Sequence, residues 1–247
     1  MKQRIDKHTT VIKNTQGFTL VELAIALMVI GLLIGGVLKG QELIENARVT
    51  RTVKDINDYD TAIMIFRNTY NGLPGDLRQP NRLPNCDNTP TDAACNYVNA
   101  NTGSGTVSGN IEPTNFWRHL ERAGLITGIN ENGTHYNISP INSFGGHYIF
   151  RILSPADPTP TAQYPEKHYY RIGSGASDGT PSANADYINV GRMIALDNKM
   201  DDGRPLNGRV QTYHNLTTQK CFDEDSQEYL STLSTRCYLV IESSTAN

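Results

Sequence analysis

A run of 21 almost entirely apolar residues near the N-terminus constrains this chain more than any other feature. The run extends from Phe18 to Leu38, reads FTLVELAIALMVIGLLIGGVL and contains a single charge, Glu22. As an α-helix it would measure about 31 Å, which matches the roughly 30 Å hydrocarbon core of a bilayer. The run is longer than the core of an ordinary secretory signal and is not followed by a small-x-small cleavage site. We therefore expect a membrane-spanning helix that stays attached to the chain.

The charges before this run predict its orientation. Four basic residues precede it and outweigh the single acid, Asp6. By the positive-inside rule, residues 1–17 are expected in the cytoplasm and the C-terminal bulk on the outer side of the membrane. The whole chain of 247 residues has 22 basic and 25 acidic side chains, a formal charge of −3. This balance argues against general electrostatic binding to nucleic acid.

Glu22 is not explained by simple anchoring. An ionised carboxylate costs about 2.5 to 3.5 kcal/mol at the middle of a membrane-spanning helix and marks a functional candidate. Glu22 is only the fifth residue of the run, where the headgroup region and the positive end of the helix dipole favour an anion. Two interpretations follow: an interfacial side chain that reaches back to water, or a residue with a chemical role.

The string GFTLVEL, Gly17 to Leu23, resembles the processing site of type IV pilins and type II secretion pseudopilins. The shared features are a short basic leader, a glycine, a phenylalanine and a glutamate at the fifth position after the glycine. The resemblance implies that a prepilin peptidase of the bacterial inner membrane cleaves between Gly17 and Phe18 and methylates the new Phe18 amine. The mature chain would have 230 residues and a formal charge of −6.

The resemblance also implies a role for Glu22 and a set of partners. Glu22 would pair with the cationic Phe18 amine of a neighbouring subunit, since this neutralises two charges that are costly in lipid. The subunit would associate with copies of itself or with other pilins through the N-terminal helix. Its further partners would be the peptidase, an inner-membrane assembly platform and the bilayer, and its final location a periplasmic or extracellular filament.

A second apolar pattern predicts that the helix continues beyond the membrane. Apolar side chains recur at helical spacing from Leu43 to Tyr70, and no proline occurs between Phe18 and Leu73. A single helix of about 54 residues and about 80 Å is expected, ending at Asn71 and Gly72. The predicted segments are a cleaved leader at 1–17, a transmembrane or filament-core helix at 18–38, its amphipathic continuation at 39–72 and an exported head at 73–247.

The head is expected to have an α+β fold. Gln79–Gly109 reads as a long loop, Pro113–Gly124 as a short helix, and Tyr187–Asp197 is ambiguous, with helix favoured over strand. Four strands are predicted, beginning at His147, His168, Gly208 and Cys237. Together they indicate a long N-terminal helix packed on a small antiparallel sheet, as in the pilin fold.

Four cysteines lie in the predicted head and allow three pairings. Export to an oxidising compartment and short separations favour Cys86 with Cys95 and Cys221 with Cys237. The alternatives are four free thiols or a zinc site, the latter disfavoured because neither pair has ligand spacing.

Two further motifs contain residue types that form sites in other proteins. Asp197, Asn198, Asp201 and Asp202 supply oxygen ligands that suit calcium, although their spacing differs from an EF-hand and a plain turn explains them as well. The segment around Ser177 matches the nucleophile-elbow pattern, but turn formers follow where a helix is required.

We therefore expect a structural subunit rather than an enzyme, with no cofactor unless calcium binds. The alternative is a bitopic membrane protein whose exported domain binds a ligand or another protein.

Overall fold

The computed structural model describes residues 18–84, 86, 103–109, 111–130, 138–152, 167–172, 188–213, 221–223, 225–230 and 236–245. The chain divides into two compact units, Met1–Glu45 and Asn46–Asn247. The boundary lies within the first helix, α1, Leu20–Tyr70, which has 51 residues. The helix therefore begins in one unit and ends in the other.

In the first unit, the apolar side chains of α1 are exposed. The large hydrophobic residues from Leu20 to Ile44 have exposures between 51% and 89%. They occupy successive positions and therefore cover every face of the helix rather than one stripe. A helix that is apolar on all sides needs an apolar environment on all sides.

In the second unit, α1 buries one stripe of side chains. Val49, Ile56, Ile63 and Phe66 recur at the helical period and are 3% exposed or less. The helix ends at Tyr70 because Asn71 adopts a left-handed conformation with φ 54°, after which Gly72 and Pro74 leave the helical path. The predicted end of the helix is confirmed.

The remaining elements of the second unit follow in chain order. A 3₁₀ turn at Pro80–Arg82 precedes helix α2, Glu112–Arg122, and strands β1, β2 and β3 precede helix α3, Val190–Met200. The strands are β1 Tyr148–Ile152, β2 His168–Ile172, β3 Ile188–Asn189, β4 Val210–Tyr213, β5 Phe222–Asp223, β6 Glu228–Tyr229 and β7 Arg236–Glu242.

All described strand pairs are antiparallel, and β7 is the central strand of a five-stranded sheet. Residues Leu239–Glu242 pair with β2, Tyr238–Ile241 pair with β4, and Arg236–Cys237 pair with β3. β1 lies next to β2 at the edge of the sheet. β5 and β6 form a separate hairpin.

One hydrophobic core joins this sheet to the helices. Alternate residues of the strands, including Tyr148, Phe150 and Tyr170, belong to the same buried cluster as the α1 stripe. α2 adds Phe116, whose ring stacks on Phe150 with centroids 4.0 Å apart. The structure is thus a long helix packed on an antiparallel sheet within the second unit, and the predicted α+β class is confirmed.

The predicted elements of the head agree with the structure, with one refinement. The four predicted strands correspond to β1, β2, β4 and β7, and the predicted short helix to α2. The segment Tyr187–Asp197, for which the sequence favours helix over strand, contains both elements. The two residues of β3 pair with β7 before α3 begins at Val190. The side chain of Asn189 accepts a hydrogen bond from Gly191 N at 2.8 Å and so caps α3.

Candidate functional site

Two side chains at the start of α1 cap each other. The hydroxyl of Thr19 accepts a hydrogen bond from Glu22 N at 3.2 Å. In return, Glu22 Oε2 accepts hydrogen bonds from Thr19 N and Thr19 Oγ1, both at 3.0 Å. This reciprocal arrangement is a capping box, which satisfies backbone donors that a helix start leaves without partners. Phe18 lies directly before it and is 85% exposed.

The helix that begins here has the composition of a membrane span. An 18-residue window of α1 has a mean hydropathy of 2.5, and none of that window is buried. Length and composition therefore fit a membrane-anchored protein. Phe18 and Glu22 are placed at the helix start, with Glu22 in the first turn.

The same segment matches a known family model. Residues 12–38 match the prokaryotic N-terminal methylation motif. The chain has a prepilin-type N-terminus. This match supports the resemblance to type IV pilins and pseudopilins and indicates a prepilin-type substrate of prepilin peptidase. Comparison with curated proteins and with solved structures finds no match to the chain.

The individual roles within the prepilin-type segment stay predictions. Gly17, on the leader side of the predicted cleavage site, lies outside the described residues, whereas Phe18 and Glu22 are described. Sequence reasoning identified Glu22 but missed its partner Thr19. The signal was present, because a threonine followed three residues later by a glutamate, directly before an apolar run, is the pattern of a capping box.

The acidic cluster predicted to bind calcium lies in the second unit, at the end of α3. Asp197, Asp201 and Asp202 each offer a carboxylate oxygen, and these oxygens lie within 4.8 Å of one another. Three of the four predicted residues are therefore brought together, and their oxygens are of the kind that calcium prefers. Asn198, the fourth predicted ligand, is exposed, and its Oδ1 lies close to Gly203.

Protein donors already contact these carboxylates. Asp197 is fully buried and accepts hydrogen bonds from Tyr229 Oη at 2.8 Å and from Gly203 N at 3.2 Å. Asp201 Oδ2 accepts from the backbone N of Arg209 and, at 3.0 Å, from that of Val210. The cluster thus fixes the turn between α3 and β4, whether or not it also holds a cation.

Burial raises the pKa of the Asp197 carboxyl to about 6, and the neighbouring carboxylates of Asp201 and Asp202 add to that shift. The hydrogen bonds from Tyr229 and Gly203 act in the opposite direction because they favour the ionised form. A cation bound here would also favour the ionised form.

The structure describes the side chains of two of the four cysteines, Cys86 and Cys221. Cys221 is fully buried, and no described cysteine is a free thiol. Cys95 lies outside the described residues, and for Cys237 the structure describes the backbone pairing with Ile188 but not the side chain. The pairings of Cys86 with Cys95 and of Cys221 with Cys237 stay predictions. Ser177 also lies outside the described residues.

Sequence reasoning missed a buried polar centre at Asp60, which lies on α1 and is 4% exposed. Its carboxylate accepts hydrogen bonds from Tyr170 Oη at 2.9 Å, Ser243 Oγ at 2.8 Å and Ser244 Oγ at 2.6 Å, and pairs with Arg209. These donors come from β2, the loop before β4 and the C-terminal residues. The available signal was an aspartate within the buried stripe of an amphipathic helix, which requires polar partners.

Proposed function

We propose that the protein is a prepilin-like structural subunit that assembles into the filament of a type IV pilus or a type II secretion pseudopilus. The observation that carries this proposal is the methylation motif at residues 12–38, because its part from residue 20 onward lies on a helix whose apolar side chains are exposed on every face. Such a surface is compatible first with lipid and then with the helices of other subunits.

Processing precedes assembly in this proposal. Prepilin peptidase cleaves between Gly17 and Phe18 and methylates the Phe18 amine, which leaves α1 attached to the head. The mature subunit waits in the inner membrane with its head in the periplasm, as the charge distribution around the apolar run predicts. An assembly platform then moves it into the filament. The protein acts as a structural component and carries out no reaction itself.

The charge pair between subunits gives the assembly its register. Glu22 and the methylated Phe18 amine are opposite charges in a region where each is costly alone. A new subunit that brings its amine to the Glu22 of a neighbour neutralises both charges, whereas a subunit shifted along the axis leaves both unpaired. The exposed position of both residues at the helix start leaves them accessible for this contact.

Mass spectrometry of the protein extracted from membranes tests the proposal against the bitopic alternative. The proposal expects a chain that begins at Phe18 and carries one added methyl group. An intact chain from Met1 to Asn247, in cells with an active prepilin peptidase, would exclude the filament subunit. It would support a membrane protein in which α1 is only an anchor.

A further inference from the structure

Only one of the two carboxylate oxygens of Glu22 is used by the capping box. Oε2 accepts from both Thr19 N and Thr19 Oγ1, each at 3.0 Å. Oε1 accepts no hydrogen bond from any residue that the structure describes. The carboxylate is therefore held at one oxygen and open at the other.

We infer that Thr19 is a positioning residue for assembly: its hydroxyl and backbone N–H hold Glu22 by Oε2 and thereby present Oε1 to the Phe18 amine of a neighbouring copy. This inference rests on the proposed function, because it concerns the same charge pair. The partner is a second copy of this chain or a related subunit, and the group recognised is a secondary ammonium that carries one methyl group.

The physical basis is preorganisation. A free glutamate side chain samples many rotamers, and fixing them when a partner binds opposes binding through lost conformational entropy. This is one reason why exposed ion pairs contribute little on their own. Because the two hydrogen bonds to Oε2 fix the Glu22 side chain before the neighbour arrives, that entropy is already lost in the unassembled subunit.

The Thr19 hydroxyl has two separable functions. As an acceptor for Glu22 N it caps the helix, and as a donor to Glu22 Oε2 it orients the carboxylate. Glycine is tolerated at the cap position of helices almost as well as threonine but has no hydroxyl. Serine retains both functions, whereas valine has nearly the shape of threonine and retains neither. These three substitutions distinguish a cap from a positioning residue.

The experiment uses the full-length chain in cells that carry its prepilin peptidase and assembly system, in place of the resident copy. Wild type, Thr19→Ser, Thr19→Gly and Thr19→Val are compared. Mass spectrometry measures cleavage and methylation at Phe18, and the amount of subunit in sheared filaments measures assembly. All four chains are expected to be cleaved and methylated. Filament yield should be within twofold of wild type for Thr19→Ser and at least threefold lower for both Thr19→Gly and Thr19→Val.

The possible results separate this inference from the function on which it rests. If Thr19→Gly assembles like wild type while Thr19→Val does not, Thr19 is only a helix cap and the positioning role is wrong. If all three variants assemble like wild type, Thr19 has no role in assembly. If wild type itself is neither cleaved nor found in filaments, the proposed function fails and this inference fails with it.

Discussion

Asp60, in the buried stripe of α1, forms an ion pair 2.6 Å long with Arg209, just ahead of β4. The same carboxylate accepts hydrogen bonds from Ser243 and Ser244, close to the C-terminus. Residues separated by as many as 184 positions therefore meet at one side chain. This polar centre fixes how the sheet and the C-terminal residues attach to the second-unit part of α1.

Asp60→Ala is expected to destabilise the protein strongly. The substitution removes the carboxylate that pairs with the half-buried guanidinium of Arg209 and accepts a hydrogen bond from the buried hydroxyl of Tyr170. Removing one member of such a pair costs about 3 kcal/mol, which corresponds to a fall of roughly 6 to 12 °C in Tm. Near-UV circular dichroism of the detergent-solubilised chain during heating measures this change.

Asp58→Ala is the matched control on the same helix. Asp58 pairs with Lys54 on the exposed face, with side chains 57% and 72% exposed. Losing this pair is expected to cost less than about 1 kcal/mol. Equal losses of Tm in the two variants would show that the Asp60 centre contributes no more than a surface ion pair.

Glu22→Ala is expected to leave membrane insertion and cleavage intact while it reduces filament formation. The substitution removes the predicted partner of the Phe18 amine but leaves the apolar run unchanged. Filament yield after shearing measures assembly, and the methylated Phe18 reports processing. Glu42→Ala is the control, because Glu42 lies on the same helix, where it pairs with Lys39 at 2.7 Å. Wild-type filament yield from Glu22→Ala would show that the charge pair does not set the register.

Gly75→Ala is expected to cost about 3 kcal/mol of folding free energy. Gly75 has φ +85°, and a Cβ there would lie 2.4 Å from the carbonyl oxygen of Glu112 at the start of α2. The substitution therefore combines backbone strain with a clash against backbone that cannot move cheaply. Gly124→Ala is the comparison, since Gly124 has φ +70° but no atom within 4 Å of the new Cβ. Thermal unfolding should show roughly half the loss or less for Gly124→Ala.

The stability of wild type relative to Glu112→Gln is expected to depend on pH. Burial, together with the nearby Asp76 carboxylate, raises the pKa of Glu112 above its usual value, despite hydrogen bonds from Ser108. The folded protein therefore binds this proton more tightly than the unfolded chain does, so the contribution of Glu112 to the free energy of unfolding increases as pH falls. Glu112→Gln lacks this contribution.

Unfolding of wild type and Glu112→Gln between pH 7 and pH 4.5 measures this effect. The stability of wild type relative to the variant should rise steadily as the pH is lowered. A constant difference over this range would mean that the pKa of Glu112 is the same in the folded and unfolded chains.

The calcium prediction is tested by titration of the whole chain with millimolar calcium. If the carboxylates of Asp197, Asp201 and Asp202 hold the ion, calorimetry should detect binding and Tm should rise. Asp202→Ala should weaken both signals with little effect on the metal-free fold, because Asp202 is exposed and its side chain accepts a hydrogen bond from Arg204 N, two residues away, at 2.9 Å. The absence of heat in wild type would leave the cluster with its structural role alone.

Local patterns predicted most of the fold. The strands beginning at His147 and His168 were visible because each reads as a short run of β-branched and aromatic residues, and α1 was visible through its unbroken helical periodicity. Asp197, Asp201 and Asp202 were predicted together because they lie within six residues at one helix end. These strands, the helix and the acidic cluster can be predicted because each is determined by residues close together in the sequence.

The Asp60 centre could not be predicted in the same way. Its donors come from three distant segments, and no local pattern links Asp60 to Arg209 or to Ser243. The capping partner of Glu22 is a different case, since Thr19 follows a local rule and could have been found. The order of the strands around β7 also depends on contacts that a single sequence does not display.

The central position of β7 has a consequence for the order of synthesis and folding. Strands β2, β3 and β4 all pair with this strand, yet it is the last strand of the chain. The sheet therefore cannot form until residue 242 has left the ribosome and, if the head is exported, has crossed the membrane. Until then the earlier strands have no central partner and expose their edges, so a nascent head depends on translocation to finish before it can protect itself from aggregation.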